Sequence, residues 1–313
     1  MNDNNTSWER EVVTELAESS LREQRRARRW GIFFKSLTFA YIAAIIFMYG
    51  DADISNVKIN EKHTALVEIN GVISDKDEAN ADSIVTALRD AFDNDNSAGV
   101  IVRINSPGGS PVQSGYIYDE MQRLREKHPD TALYAVVTDV CASGGYYIAS
   151  AADKIYADKA SIIGSIGVRM DNFGFVEAID KLGVERRTFT AGENKALLDP
   201  FLPEDEKAKA HMQTMLDEIH QQFISAVKKG RGDRLDTTVE GIFSGLIWTG
   251  EAAVNIGLVD ELGSSSHVAR EVIGEETIVN YTVEQDIFER FAERLGSSVA
   301  QVINTQWLNP SLR

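Results

Sequence analysis

Two apolar runs that each end in a glycine turn restrict this chain more than any other feature. Residues 100–104 and 131–137 are short and rich in β-branched and aliphatic side chains, with no polar alternation. That is the pattern of strands buried on both faces of a parallel sheet. The second run leads through Cys141 and Ala142 to Ser143, Gly144 and Gly145, then to residues 146–152, which read as a helix. The first breaks at Ser106, Pro107, Gly108 and Gly109 before a helical stretch over 112–127. A buried strand that hands over to a helix leaves N–H groups without intrahelical partners beside the turn side chain. Alone, Ser143 reads as an N-cap with turn glycines behind it. Two such turns on one sheet edge instead favour a serine nucleophile facing free N–H groups of Gly108 and Gly109, half of an oxyanion hole.

The flanking elements extend the same plan. Residues 65–73 read as a strand and 79–92 as a helix with Ile84, Val85 and Leu88 on one face. Extended segments are expected at 154–157, 166–170 and 187–190, and helices at 175–182, 204–229, 248–256, 267–273 and 283–303. This alternation of strand and helix predicts an α/β fold with a largely parallel sheet and helices packed on it. The 313 residues, 43% of them hydrophobic, suffice for one large or two modest domains.

Charge and cysteine content narrow the function. The net charge is −16, and residues 1–30 balance six Arg against six Asp/Glu, so the whole deficit lies beyond them. So acidic a surface repels phosphate backbones and argues against a nucleic-acid partner. The single cysteine, Cys141, excludes an intrachain disulfide and a Cys-rich metal site, and its apolar neighbourhood makes it a buried filler.

Residues 1–29 read as a polar, cytoplasmic segment ending in Arg22, Arg25, Arg26, Arg28 and Arg29. Residues 32–49 come next with Lys35 as the only charge; as a helix they span about 27 Å, close to the hydrocarbon thickness of a bilayer. Lys35 lies near one end, where its ammonium can snorkel, and Trp30 and Tyr49 sit where interfacial aromatics would. With arginines before the span and Asp51 and Asp53 after it, residues 30–50 are expected to be a single membrane anchor with the N-terminus inside. A cleaved signal peptide is the rival, but no small-x-small site is convincing between residues 49 and 59. Residues 51–63 read as a linker and 64–313 as the globular domain.

A serine nucleophile needs a base. The five histidines, His63, His128, His211, His220 and His267, all read as surface residues. Lys195, in a loop flanked by Ala196, Leu197, Leu198, Phe201 and Leu202, is the alternative. To serve, its pKa must fall from about 10.4 to near 7 or 8, roughly 3 to 5 kcal/mol of disfavoured charge, which burial must supply.

SPGGS at 106–110, CASGGYYIASAAD at 141–153, ASIIGSIGV at 160–168, GENK at 192–195 and TGEAAVNIGLVDELG at 249–263 together resemble the signal peptide peptidase A family of Ser-Lys membrane serine proteases. The resemblance covers about residues 60–265. It implies a fold like that of the caseinolytic protease (ClpP) and crotonase enzymes. It makes Ser143 the nucleophile, Lys195 the general base, Ser165 the group orienting the lysine, and the N–H groups of Gly109 and Gly144 the oxyanion hole. It further implies homo-oligomers that share sites between neighbouring copies, an extracytoplasmic (periplasmic) catalytic domain, remnant signal peptides or similar apolar peptides as substrates, and no cofactor or metal. Leu197 and Leu198 depart from the smaller or more polar residues expected after Ala196, which bears on pocket shape. Two rival readings use the same turns: a crotonase-like acyl-CoA enzyme, which the acidic surface disfavours, and a non-catalytic membrane scaffold indifferent to Ser143.

Overall fold

In the computed structural model the structure describes residues 3–50 and 61–283; the side chains of residues 3–13 and 45–50, and of Ala17 and Ser19, fall outside it. Contacts divide the chain into two units, Met1–Asn56 and Val57–Arg313.

The described residues of the first unit form one helix, α1 (Asp3–Gly50). Its arginines from Arg22 to Arg29 are exposed, and only Arg22 among them has an ion pair within the described residues, with Glu18 at 3.3 Å. Trp30 stacks on Phe34 with ring centroids 5.6 Å apart. Among the described residues no helix is long and apolar enough to cross a membrane. The side chains of 45–49, the most apolar end of the expected span, lie outside the described residues, as do most of the linker and all but the first residue of the helix expected over 283–303.

The second unit alternates strand and helix: β1 (His63–Asn70), α2 (Ala81–Asp93), β2 (Ser97–Ser106), α3 (Pro111–Lys127), β3 (Leu133–Ala142) and α4 (Gly144–Ala149). Then come β4 (Lys154–Ala157), β5 (Ile162–Gly164), α5 (Val176–Lys181), α6 (Glu206–Arg231), β6 (Ile247–Thr249), α7 (Gly250–Asn255) and β7 (Glu261–Leu262). A helical stretch, Ser265–His267 and Val268–Ile273, precedes β8 (Ile278–Asn280). The strands form one eight-stranded sheet in the order β6-β5-β3-β2-β1-β8, with β4 on β3 and β7 on β4. Every pairing is parallel except β5 with β6.

Successive strand residues point to opposite faces, so the alternation of burial assigns each face its cover. Val67, Val102, Ile104, Ala135 and Val137 pack with α2, α3, α4 and the end of α6 in the main core. Leu66, Ile101, Val136 and Tyr156 face the other way, covered by Val268 and Ala269. Helix starts are set by local chemistry: Asn80 accepts from the Ser83 N–H at 2.9 Å, and Ser110 caps α3 ahead of Pro111 at its first position.

β3 is longer than the sequence suggests, because it runs through Asp139 to Ala142 and changes partner on the way. Tyr134 to Val137 pair with β4, and Val140 to Ala142 pair with β5. The fork coincides with a register shift against β2 between Ile104 and Ser106. There the Asn105 side chain accepts the Val140 N–H at 3.2 Å in place of a backbone carbonyl. An irregular strand of this kind re-aims the residues at its C-terminal end, and the first residue past that end is Ser143.

Three local expectations are corrected. The strand expected at 166–170 lies earlier, at β5; residues 187–190 are exposed coil; and the segment expected to be a helix from Trp248 begins as β6, with its helix starting at Gly250. Ile247, Trp248 and Thr249 are good strand formers, and the Thr249 hydroxyl then caps α7 by accepting from Ala252.

Candidate active site

Ser143 joins β3 to α4 with φ 51° and ψ −122°, a conformation that is costly for a residue with a Cβ. Its side chain makes no capping hydrogen bond, so the N-cap reading of this serine fails. The backbone is held instead: the Ser143 N–H donates to Gly164 O at 2.8 Å, and Ser143 O accepts from the Tyr147 N–H at 2.9 Å. A hydroxyl in a strained, over-determined turn and not engaged by its own helix is available for other chemistry.

Ser165 is its neighbour across the sheet. Ala142 is in register with Gly164, so the next residues on the two strands are Ser143 and Ser165. Ser165 also has positive φ, 54°, and its N–H donates to Leu246 O at 2.7 Å. Gly164 between them has no room for a side chain, since a Cβ there would lie 2.8 Å from the Trp248 ring.

The second glycine turn closes on the first. A Cβ on Gly108 would sit 2.7 Å from both Gly144 N and Ser143 Cβ, and one on Gly144 would sit 3.2 Å from Gly109 N. Gly109 is bridged to Ile73, whose N–H donates to Gly108 O at 3.0 Å and whose carbonyl accepts from Ser110 N–H at 2.8 Å. The Gly108 N–H is taken by Ser106 Oγ at 3.1 Å. The N–H groups of Gly109 and Gly144 have no hydrogen-bond partner among the described residues, and both adjoin Ser143. Two unpaired backbone donors beside a serine hydroxyl are the arrangement that an oxyanion hole requires.

A cleft of about 690 Å³ contains Gly108, Gly109, Ser143, Gly144 and Ser165 in its lining, with Tyr147 and Phe223 among its walls. These two rings lie 5.0 Å apart, giving the cleft an apolar side that the sequence did not reveal. Cys141, just behind, is fully buried, and burial pushes its thiol well above the usual range, as its reading as a filler requires.

Lys195 stands apart within one chain. It is exposed, is absent from the lining of the Ser143 cleft, and lies in a series of turns over 193–198, where its N–H donates to Gly192 O at 3.2 Å. The segment that carries it packs on itself: Phe175 lies 5.6 Å from Phe201, Arg186 pairs with Asp199 at 2.9 Å, and the Phe175 N–H donates to Pro200 O at 2.7 Å. Within it α5 buries no residue, while Phe173, Leu182, Val184 and Phe189 are exposed, Phe189 to 95%.

The surface reading of the histidines holds for His211 alone: His63 is buried, and His128, His220 and His267 are half-buried. His63 is fully buried at the start of β1, with Nε2 2.9 Å from Tyr281 Oη and Nδ1 2.7 Å from Glu61 O. His220 is half-buried, with Nε2 3.2 Å from Ile166 O. Neither bonds to Ser143 among the described residues, so neither takes the place of the lysine as base.

Known proteins fit this geometry. The chain matches peptidase family S49 over residues 125–277 and the Clp protease family over residues 61–162, so its mostly parallel α/β fold is of the Clp protease kind. It is 30% identical over 269 residues to an Enterococcus faecium protein named for signal peptide peptidase SppA, covering 81% of this chain and 77% of that one. Protease 4 of Haemophilus influenzae is 34% identical over 220 residues, 69% of this chain and 35% of that protein. A segment of 189 residues, 60% of this chain, is 45% identical to part of a Brucella abortus protein named Na+/H+ antiporter NhaA. The aligned part is 25% of that protein, so the chain spans about a quarter of this relative's length. A strained serine between two glycine turns, similarity to an SppA-named protein over most of both chains and the family match lead to one conclusion: the chain belongs to peptidase family S49, the family of signal peptide peptidase A.

Proposed function

We propose that this chain is a membrane-anchored serine endopeptidase that cleaves apolar peptides, remnant signal peptides among them, with Ser143 as nucleophile and Lys195 of a neighbouring copy as general base. The observation that carries the reading is the convergence of the Ser143 turn with the unpaired N–H groups of Gly109 and Gly144. Neutral Lys195 Nζ takes the Ser143 Oγ proton as Oγ bonds to the peptide carbonyl carbon. The C–O π electrons move to oxygen, and the two N–H groups hold that oxyanion. Collapse breaks the C–N bond, the lysine gives its proton to the leaving amine, and a water activated by the same lysine then hydrolyses the acyl-enzyme.

Support for a second copy comes from the segment around Lys195, which buries little against its own chain and exposes several large apolar side chains. Covering it with a neighbouring copy would strip water from the ammonium and favour its neutral form. Ser165, beside Ser143 in register, is suited to orient the incoming amine. The cleft wall formed by Tyr147 and Phe223 suits apolar substrates. Residues 30–50 are proposed as the anchor, with the catalytic unit on the extracytoplasmic side, as the arginines ahead of them favour.

Treatment with a fluorophosphonate and subsequent peptide mapping tests the reading. The adduct is expected on Ser143 and is expected to vanish in Ser143→Ala. An adduct on another serine, or none on a chain that is folded and assembled, would refute it.

A further inference from the structure

Ser106 makes contacts that the proposed chemistry does not yet use. It closes β2, is fully buried, and lies on the strand next to the nucleophile's, opposite Cys141 in register. Its hydroxyl donates to Gly71 O at 2.6 Å and accepts from the Gly108 N–H at 3.1 Å. The Gly71 N–H in turn donates to Asn105 O at 2.9 Å, and Ile73 is bonded to both sides of Gly109. One side chain thus joins the loop after β1 to the glycine turn after β2, its hydroxyl donating to one carbonyl and accepting from one buried N–H.

The consequence falls on the oxyanion hole. Of the two glycine N–H groups in the turn, Ser106 Oγ engages that of Gly108, while that of Gly109 stays unpaired beside Gly144. The turn is held against Ser143 with no slack, since a Cβ on Gly108 would lie 2.7 Å from Ser143 Cβ. Without the hydroxyl, the Gly108 N–H and the Gly71 carbonyl both lose a partner, and rotation of the 107–108 peptide becomes the way to find another. That rotation is passed through the Gly108 Cα to the 108–109 peptide, whose carbonyl the Ile73 N–H holds from the other side, and so shifts the Gly109 N–H it carries.

We propose that Ser106 is a positioning residue of this site: its hydroxyl fixes the 107–108 peptide so that the Gly109 N–H, and not that of Gly108, faces the developing oxyanion. The claim deepens the reading of Ser143 as nucleophile and rests on it. Such a residue acts on the transition state rather than on substrate binding, which separates it from a residue that merely holds the fold.

The test uses the full-length protein with an apolar fluorogenic peptide and a leucine-terminated peptide boronic acid, whose tetrahedral adduct on Ser143 places an oxygen in the oxyanion site. Ser106→Ala is expected to lower kcat by about tenfold to hundredfold, short of or equal to the loss of a whole donor, and to weaken the boronate by a similar factor. KM is expected to stay within about twofold, the mark of an interaction made only in the transition state. Ser106→Thr, which keeps the hydroxyl, is expected to restore most of both; Ser106→Cys supplies a second measurement if the alanine variant does not fold. Wild-type kcat and boronate affinity in Ser106→Ala, with only a lower Tm, would overturn the positioning role while leaving Ser143 in place. If the wild-type protein neither cleaved the peptide nor bound the boronate, this inference and the peptidase reading would fall together.

Discussion

Gly108→Ala puts the closeness of the two glycine turns to a quantitative test. The new Cβ would lie 2.7 Å from Gly144 N and from Ser143 Cβ, whereas ordinary contacts begin at 3.4 Å, so the turns must part by about 0.7 Å. The carbonyl of Ala142, 2.8 Å away, blocks escape on a third side. Gly108 also has φ 101°, which costs a residue with a Cβ on the order of 1 to 3 kcal/mol, and overpacking adds about 1 to 3 kcal/mol more. The total loss is about 2 to 6 kcal/mol, visible as a lower denaturant midpoint. Catalysis should suffer more than stability alone implies. A donor normally 2.7 to 3.1 Å from the oxyanion and displaced by about 0.7 Å has lost most of its bond, and removal of one such donor lowers kcat by about 10² to 10³. The assay is kcat on an apolar peptide, at a temperature where circular dichroism shows the variant fully folded. A folded variant with wild-type kcat would refute the claim that these turns form the oxyanion hole.

Other predictions rest on separate contacts. Lys195→Ala and Lys195→Arg should both abolish turnover with folding and assembly intact, because a guanidinium stays charged at neutral pH; retained turnover in either would remove the lysine from the mechanism. The wild-type rate should rise between about pH 6 and 9 as the lysine loses its proton, and a flat profile would count against a lysine base. Hydrogen bonds from Arg123, and with them Arg89, hold the Glu120 carboxyl down to about 2, from an ordinary 4.5. The depressed value means that this stabilisation is complete above about pH 4.5 and is lost as pH falls towards 2. Relative to Glu120→Gln, the wild type should therefore lose about 2 to 3 kcal/mol over that window; a difference independent of pH would refute the assignment. Arg231→Met should destabilise the fold by about 1.5 to 3 kcal/mol, since it removes the 2.7 Å partner of the largely buried Asp260, which keeps Arg234 at 3.1 Å and the Ile155 N–H at 2.7 Å; a denaturant midpoint that does not move would contradict it.

The parts of the fold that were legible in the sequence are those set by local pattern. Residues 100–104 and 131–137 announce buried parallel strands through short runs rich in β-branched and aliphatic residues, and the glycines after them announce turns, so the place of Ser143 is set by neighbours within a few residues. The features that escaped depend on distant partners. Asp139 looks like a strand end, yet β3 continues past it because Asn105 and β5 supply new partners there. His63 looks like a linker residue, yet it is buried because Tyr281, 218 positions away, stacks on it and meets its Nε2. Trp248 reads as helical from its apolar neighbours, yet it pairs with Ile163 in an antiparallel strand beneath Gly164. Ser106 stands in the SPGGS stretch, but its role left no sequence signal, because the value of its hydroxyl comes from the Gly71 carbonyl 35 positions earlier.

The central claim, a site completed by a second copy, is tested most directly by co-expressing Ser143→Ala with Lys195→Ala and assaying the mixed assembly. Each variant alone should be inactive. If serine and lysine come from different copies, random mixing in equal amounts pairs an intact serine with an intact neighbouring lysine at about a quarter of the sites, and activity should return to about a quarter of wild type. An inactive mixture, in assemblies shown to contain both variants, would contradict the account.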